Sequence, residues 1–170
     1  MIGDTSLPVP TALAAVTLLS RSGRGFESRV SGASMQPTLP HGSRIRIAPC
    51  ADDAPRVGEI AVFEDGGRLI AHRVVHRGGR ALVTRGDASL MCDIPLDRSE
   101  LRGLVIEFSA DETWSSPGPA PVTGMLKHSV ATLDLGLTRI SLALGLSFAR
   151  RFAGLRRKVA GAVLRRVRQP

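Results

Sequence analysis

The chain has no tyrosine, one tryptophan and only two cysteines in 170 residues. Two cysteines cannot build the disulfide framework of a small secreted scaffold, and the spacing of Cys50 and Cys92 matches no metal motif. Both read as small buried hydrophobes, and neither a metal nor a cofactor is expected. No apolar run reaches the ~18 residues that a membrane-spanning helix requires. The short run Ala12–Leu19 has only Asp4 as a charge before it. It lacks the positive region of a secretory signal, so no cleaved leader is expected there.

Charge is also missing from most of the chain, in the sense that it cancels. Of 23 Lys+Arg, eight lie from Arg150 onward, which leaves 15 against 15 Asp+Glu in the remainder. A neutral body with a basic tail calls for an acidic partner surface, either a membrane or nucleic acid. The length is enough for one domain with a real core and hardly for two.

What is present divides into four parts. Residues 1–25 carry Pro8, Pro10, Gly23 and Gly25 around one short apolar segment, and read as a lead-in with a short helix. From Phe26 to about residue 110 the signal is β. Arg44-Ile45-Arg46-Ile47 alternates, placing both isoleucines on a buried face and both arginines in solvent. Pro49 to Pro55 reads as a loop. Segments 59–64 and 68–77 read as strands joined at Asp65-Gly66-Gly67, with further strands over 80–85 and 101–109. Short strands with tight glycine turns predict a mainly β fold, a small open barrel or sheet assembly. Residues 111–124 are rich in Pro, Gly and Ser and read as a linker.

In the tail, 125–170, the period changes. Apolar residues recur every three or four positions from Leu126 through Leu133, Leu137, Ile140, Leu144, Phe148 and Leu155 to Val163. That spacing predicts one long amphipathic helix, weakened by its glycines and needing a surface to lie on. A nucleic-acid binder would interleave aromatics for stacking, and the basic part holds only Phe148 and Phe152, both on the apolar stripe. An anionic membrane surface is therefore the favoured partner and nucleic acid the disfavoured one. A spanning helix would have to bury Asp134 and Arg139, so the location expected is peripheral to a membrane or cytoplasmic. The plainer reading is a helix packed on the body. On the surface-helix reading the tail supplies no catalytic group, and truncation after Gly124 should leave an active body.

The chemistry starts at Ser31-Gly32-Ala33-Ser34-Met35-Gln36-Pro37-Thr38-Leu39. Ser34 lies among small residues, and a proline three positions on holds the chain out of helix. A hydroxyl presented in this way can be approached freely beside backbone N–H groups. A serine hydroxyl needs a base, and His72 in Ala71-His72-Arg73-Val74-Val75 shares a strand face with Ile70 and Val74. His76 is the spare candidate, and His41 follows the serine too closely to fold back. Gly86-Asp87 and Asp93 supply two candidates for the group that orients the base. Asp87 has the alternative of capping its turn and pairing with Arg85 or Arg73. Met35 and Leu39 read as packing residues.

These segments resemble the type I signal peptidases, serine endopeptidases with a β-rich catalytic fold. Ser34 in SGASMQPTL matches the nucleophile box of that family. His72 stands before Arg-Val-Val where one branch has a lysine base, which resembles the archaeal and endoplasmic-reticulum branch with its histidine base. Gly86-Asp87 is similar to the family's Gly-Asp box, and Asp93 to the later aspartate of the histidine branch. Gly58-Glu59-Ile60-Ala61-Val62 resembles a further strand motif, with Glu59 in place of the usual aspartate, and Leu101-Arg102-Gly103-Leu104-Val105 the closing strand. The likeness covers about Phe26 to Phe108. It implies a serine endopeptidase that removes signal or leader peptides, with Ser34, His72 and Asp93 catalytic and Asp87 and Gly32 in support. It also implies substrates with small residues before the cut and no cofactor. Many members carry a serine oxyanion donor at the position of Gly32, so the resemblance leaves the backbone to supply that function here. The absence of that donor, and of the spanning anchor usual in the family, keeps a second reading open: a weak or inactive peptidase-fold module that binds a membrane or partner through its basic tail.

Overall fold

The alternating and continuous apolar segments lie side by side in one sheet. The computed structural model describes residues 9–50, 55–121 and 125–167. The parts of the expected lead-in, loop, linker and tail at 1–8, 51–54, 122–124 and 168–170 lie outside the described residues, as do the side chains of Leu126, Val159 and Val163. Seven strands run in chain order: β1 (Phe26–Arg29), β2 (Arg44–Ala48), β3 (Ile60–Asp65), β4 (Arg68–Gly78), β5 (Ala81–Arg85), β6 (Leu96–Asp97) and β7 (Leu101–Ser109). They form a single sheet in the order β1-β2-β7-β3-β4-β5-β6, with every pairing antiparallel. The sheet stays open, with β1 and β6 at its edges, so no closed barrel forms.

The central strand explains the core. Ile60-Ala61-Val62-Phe63 is apolar without a break because β3 is buried on both faces. Ile60 and Val62 join Met35, Leu39, Ile45, Ile47 and Val105 on one side. Ala61 and Phe63 join Val74, Leu82 and Leu96 on the other. Ile45 and Ile47 are buried as their alternation requires. The neighbouring arginines are exposed or half-buried and held in place: Arg46 stacks on Trp114 at 3.8 Å and reaches Glu27 and Glu107. Two-residue turns at Gly66-Gly67 and around Gly79 close the β3–β4 and β4–β5 hairpins. Missing from the sequence reading are β6 and the short 3₁₀ turn Arg98–Glu100, which starts from a capping box between Asp97 and Glu100.

One expectation about the tail is corrected, the single long helix. The chain forms α2 (Met125–Ala143) and α3 (Leu146–Val167), an antiparallel hairpin broken at Gly145, whose φ of 109° is one that side-chain-bearing residues rarely adopt. The segment read as a linker is held to the sheet. Phe108 and Ser115 exchange backbone hydrogen bonds, Trp114 lies under Arg46, and the Gly118 carbonyl accepts from Arg73 Nη1 at 3.2 Å. Residues 111–121 therefore form a strap tied across the sheet. The N-terminal helix, α1 (Val9–Arg21), packs on β4 and β7.

The hairpin is also turned the opposite way from an ordinary surface helix. Its inward face is small and polar: Ala131, Asp134, Thr138 and Ser141 on α2, with Ala149 and Ala153 on α3. Small side chains let the two helices and the body approach closely. The apolar stripe points outward, with Leu133, Ile140 and Leu144 each 67% exposed and Leu155 62%. Among the described residues no helix is long and apolar enough to cross a membrane.

Candidate active site

Ser34, His72 and Asp93 meet in one hydrogen-bonded chain. His72 Nδ1 donates to Asp93 Oδ2 at 2.6 Å. His72 Nε2 lies 2.8 Å from Ser34 Oγ. An ionised carboxylate only accepts, so the Nδ1 proton faces Asp93 and leaves Nε2 as the acceptor for the serine hydroxyl. Exposure falls along the chain of groups: Ser34 is exposed, the His72 side chain is 12% exposed and that of Asp93 9%. The hydroxyl is open to a substrate while the orienting charge is dry.

Local structure explains each placement. Ser34 opens a turn whose next residue, Met35, is buried in the core, as is Leu39, so the turn is pinned from below and its serine left above. Gly86 passes directly against that serine: a Cβ on Gly86 would stand 2.6 Å from the Ser34 carbonyl oxygen and 3.0 Å from Ser34 Cβ. The absence of a side chain permits this approach, and Ala88 N–H then donates to the same carbonyl at 2.8 Å. His72 pairs with Ala61 in the β3–β4 ladder, and its ring meets Phe63 edge-on at 6.2 Å. The expected shared face with Ile70 and Val74 is the face of the second core cluster. Asp93 sits just before β6. Its N–H donates to the Thr84 carbonyl at 2.8 Å and its Oδ2 also accepts from Thr84 Oγ1 at 2.8 Å.

The other candidates fall elsewhere. Asp87 engages Arg73, with Arg73 Nε at 2.9 Å from Oδ1 and Nη2 at 2.7 Å from Oδ2, and it accepts from Thr38 Oγ1 at 2.6 Å. It braces the serine turn from beneath. His76 lies beyond a bulge in β4 at Val74–His76, which ends the strict alternation that put it on the face of His72. It lines a cavity of ≈ 790 Å³ with Arg80, Gly136 and Arg139, and none of Ser34, His72 and Asp93 borders that cavity. Burial, aided by Arg139, holds the His76 imidazole below its ordinary range. His41 is exposed in a turn. Gly32 faces open space, with nothing within 4 Å of where a Cβ would stand.

Ser34 forms part of the wall of a cleft of ≈ 670 Å³. The floor is apolar (Met35, Leu39, Ile45, Ile47 and Val62), and segments 28–32 and 67–71 form two rims of extended or turning backbone.

Sequence reasoning missed the groups behind Asp93. Cys92 N–H donates to Asp134 Oδ2 on α2 at 2.7 Å, and Arg156 of α3 pairs with Asp134 at 2.7 Å. Burial, with Asp134 close by, pushes the Cys92 thiol up to about 12. The one available signal was Asp134, the lone acid of a basic tail. Comparison with protein-family models and with curated proteins finds no match to this chain.

Proposed function

We propose that the protein is a serine endopeptidase of the signal-peptidase type, acting through an acyl-enzyme. The observation that carries this reading is the continuous Asp93–His72–Ser34 hydrogen-bonded chain, with its hydroxyl open to an apolar cleft. Ser34 Oγ attacks the scissile carbonyl carbon as its proton passes to His72 Nε2. Asp93 holds the imidazole and stabilises the imidazolium that forms. The C–N bond then breaks, His72 returns the proton to the leaving amine, and water repeats the sequence to release the acid. The backbone serves the oxyanion, most simply through the Ser34 N–H, beside the open position at Gly32. The shallow cleft favours small residues before the cut, as the likeness of SGASMQPTL and AHRVV to the signal peptidases also implies. The test is a serine-directed active-site probe on the wild type and on Ser34→Ala. Labelling of the wild type that Ser34→Ala abolishes is expected, and labelling that persists overturns the reading.

A second, compatible reading concerns location. The outward stripe Leu133, Leu137, Ile140, Leu144, Phe148 and Leu155 is an apolar face with no cover among the described residues. Exposed Arg151 and Lys158 lie on the same hairpin. An anionic bilayer surface matches this combination, taking the stripe at the acyl boundary and the cations at the headgroups. Not all the basic charge is available, because Arg150 and Arg156 turn inward to Glu100 and Asp134. Co-sedimentation with anionic vesicles, but not zwitterionic ones, tests the reading.

A further inference from the structure

The inward face of the α2–α3 hairpin takes hold of the backbone on both sides of Asp93. Asp134 Oδ2 accepts from Cys92 N–H at 2.7 Å. Arg156 Nη2 donates to the Cys92 carbonyl at 3.3 Å, while its Nη1 is shared between Asp134 Oδ1 at 2.7 Å and Thr138 Oγ1 at 2.8 Å. Two residues past Asp93, Arg150 Nε donates to the Pro95 carbonyl at 2.9 Å. The peptide unit that leads into Asp93 is therefore held at both ends: its carbonyl by Arg156 and its N–H by the Thr84 carbonyl.

We infer that Asp134 and Arg156 are positioning residues, which fix the Cys92–Asp93 backbone and thereby keep the Asp93 carboxylate on His72 Nδ1. The inference rests on the proposed catalytic role of Ser34, His72 and Asp93. Its physical basis is directional. A pair that only docked the tail could bond to any part of the body. This one is 8% and 13% exposed at its two side chains and directs its bonds to the two polar backbone atoms of the residue before Asp93. A carboxylate on a loop is aimed only as well as its backbone is fixed, and misplacement by about 1 Å at a reacting group costs on the order of 10²-fold in rate. On this inference the tail is a working part of the catalytic body, in contrast to the expectation that truncation after Gly124 leaves an active domain.

The test uses the full chain. Removing one partner leaves a buried charge uncompensated and threatens folding, so both are replaced together in Asp134→Leu/Arg156→Met, a change of kind that folded proteins tolerate. Arg156→Lys is the second variant: it keeps the charge balance and gives up the fork that reaches the Cys92 carbonyl. Proton NMR reads the downfield His72 Nδ1–H resonance expected from the 2.6 Å bond to Asp93, and peptide cleavage reads kcat and KM. The double variant should unfold cooperatively, lose or broaden the resonance, and lose about 10²-fold in kcat with KM nearly unchanged. Arg156→Lys should show a smaller loss of both. An unaltered resonance and unaltered kcat in either folded variant overturns the inference. Should the wild type itself show no Ser34-dependent cleavage, the catalytic reading fails, and the resonance still decides whether the clamp holds Asp93.

Discussion

Asp87 gives both of its carboxylate oxygens to Arg73, and both side chains are 4% exposed. The two aspartates that the sequence offered for one role have different partners, Arg73 for Asp87 and His72 for Asp93. Asp93→Asn should leave the thermal midpoint close to wild type and lower turnover by orders of magnitude, because the amide favours the wrong imidazole tautomer. Asp87→Asn should do the reverse. It strands the Arg73 guanidinium beneath the serine turn, and breaking a buried pair costs about 3–5 kcal/mol. Thermal melts and peptide assays on the two variants check the assignment, and exchanged phenotypes would exchange the roles.

The hydrogen-bonded chain from Asp93 to Ser34 acts as one unit on the proposed mechanism. His72→Ala should then reduce turnover about as far as Ser34→Ala, and the double variant should fall little further.

Much of this was legible beforehand, and the reasons are physical. Strands with two-residue glycine turns carry strong local signals, so β3, β4, β5 and β7 fall within a residue or two of their expected bounds. Ser34, His72 and Asp93, singled out through the resemblance of their segments to signal-peptidase motifs, lie in one hydrogen-bonded chain. The orientation of the tail was not legible. Periodicity fixes which residues share a stripe, but the direction of that stripe depends on what the other face meets. Here Ala131, Thr138 and Ser141 are buried because they are small, and the two hydroxyls bond to carbonyls of their own helix, which a hydropathy pattern does not register. Of the two partners that the sequence allowed Asp87, Arg85 and Arg73, the structure takes Arg73, and Asp93 is the carboxylate that bonds to His72 Nδ1.

Gly32 offers a gain-of-function test. A side chain there meets nothing within 4 Å, so Gly32→Ser is sterically free. The hydroxyl would stand where the resemblance of SGASMQPTL to the signal peptidases implies an oxyanion donor, and one such donor is worth about 10²–10³-fold in kcat where it is well placed. A rise in kcat with little change in KM is expected. A fall would mean that the oxyanion develops on another side of Ser34.

Cys92 reports on the hairpin. Its thiol is fully buried and pushed up to about 12, chiefly by burial, so the reactive thiolate is scarce at neutral pH. In a Cys50→Ser background, alkylation at pH 8 should be slow in the native protein and fast once α2 and α3 undock. The sign of the pH effect follows. The folded state holds this proton above the ordinary value of 9.0, so its contribution is complete below pH 9 and is lost as pH rises towards about 12. Denaturant midpoints should fall over that interval, and less steeply in Cys92→Ala.

The outward stripe gives the test of location. Leu133 and Ile140 are each 67% exposed and Phe148 48%, so glutamates at all three positions leave the core and the Asp134–Arg156 pair untouched. Transfer of one such side chain into hydrocarbon is worth about 1.5–3 kcal/mol when complete, and shallow insertion realises part of that. Loss of three therefore corresponds to at least two orders of magnitude in affinity for anionic vesicles, before the added repulsion of three carboxylates by the surface. Cleavage of a soluble peptide should be unchanged, because the substitutions lie on the face turned away from Cys92 and Asp93. Cleavage of a membrane-tethered substrate should slow, since the variant loses the high local concentration that surface binding provides. Equal vesicle binding by wild type and variant would show that the stripe meets something other than lipid.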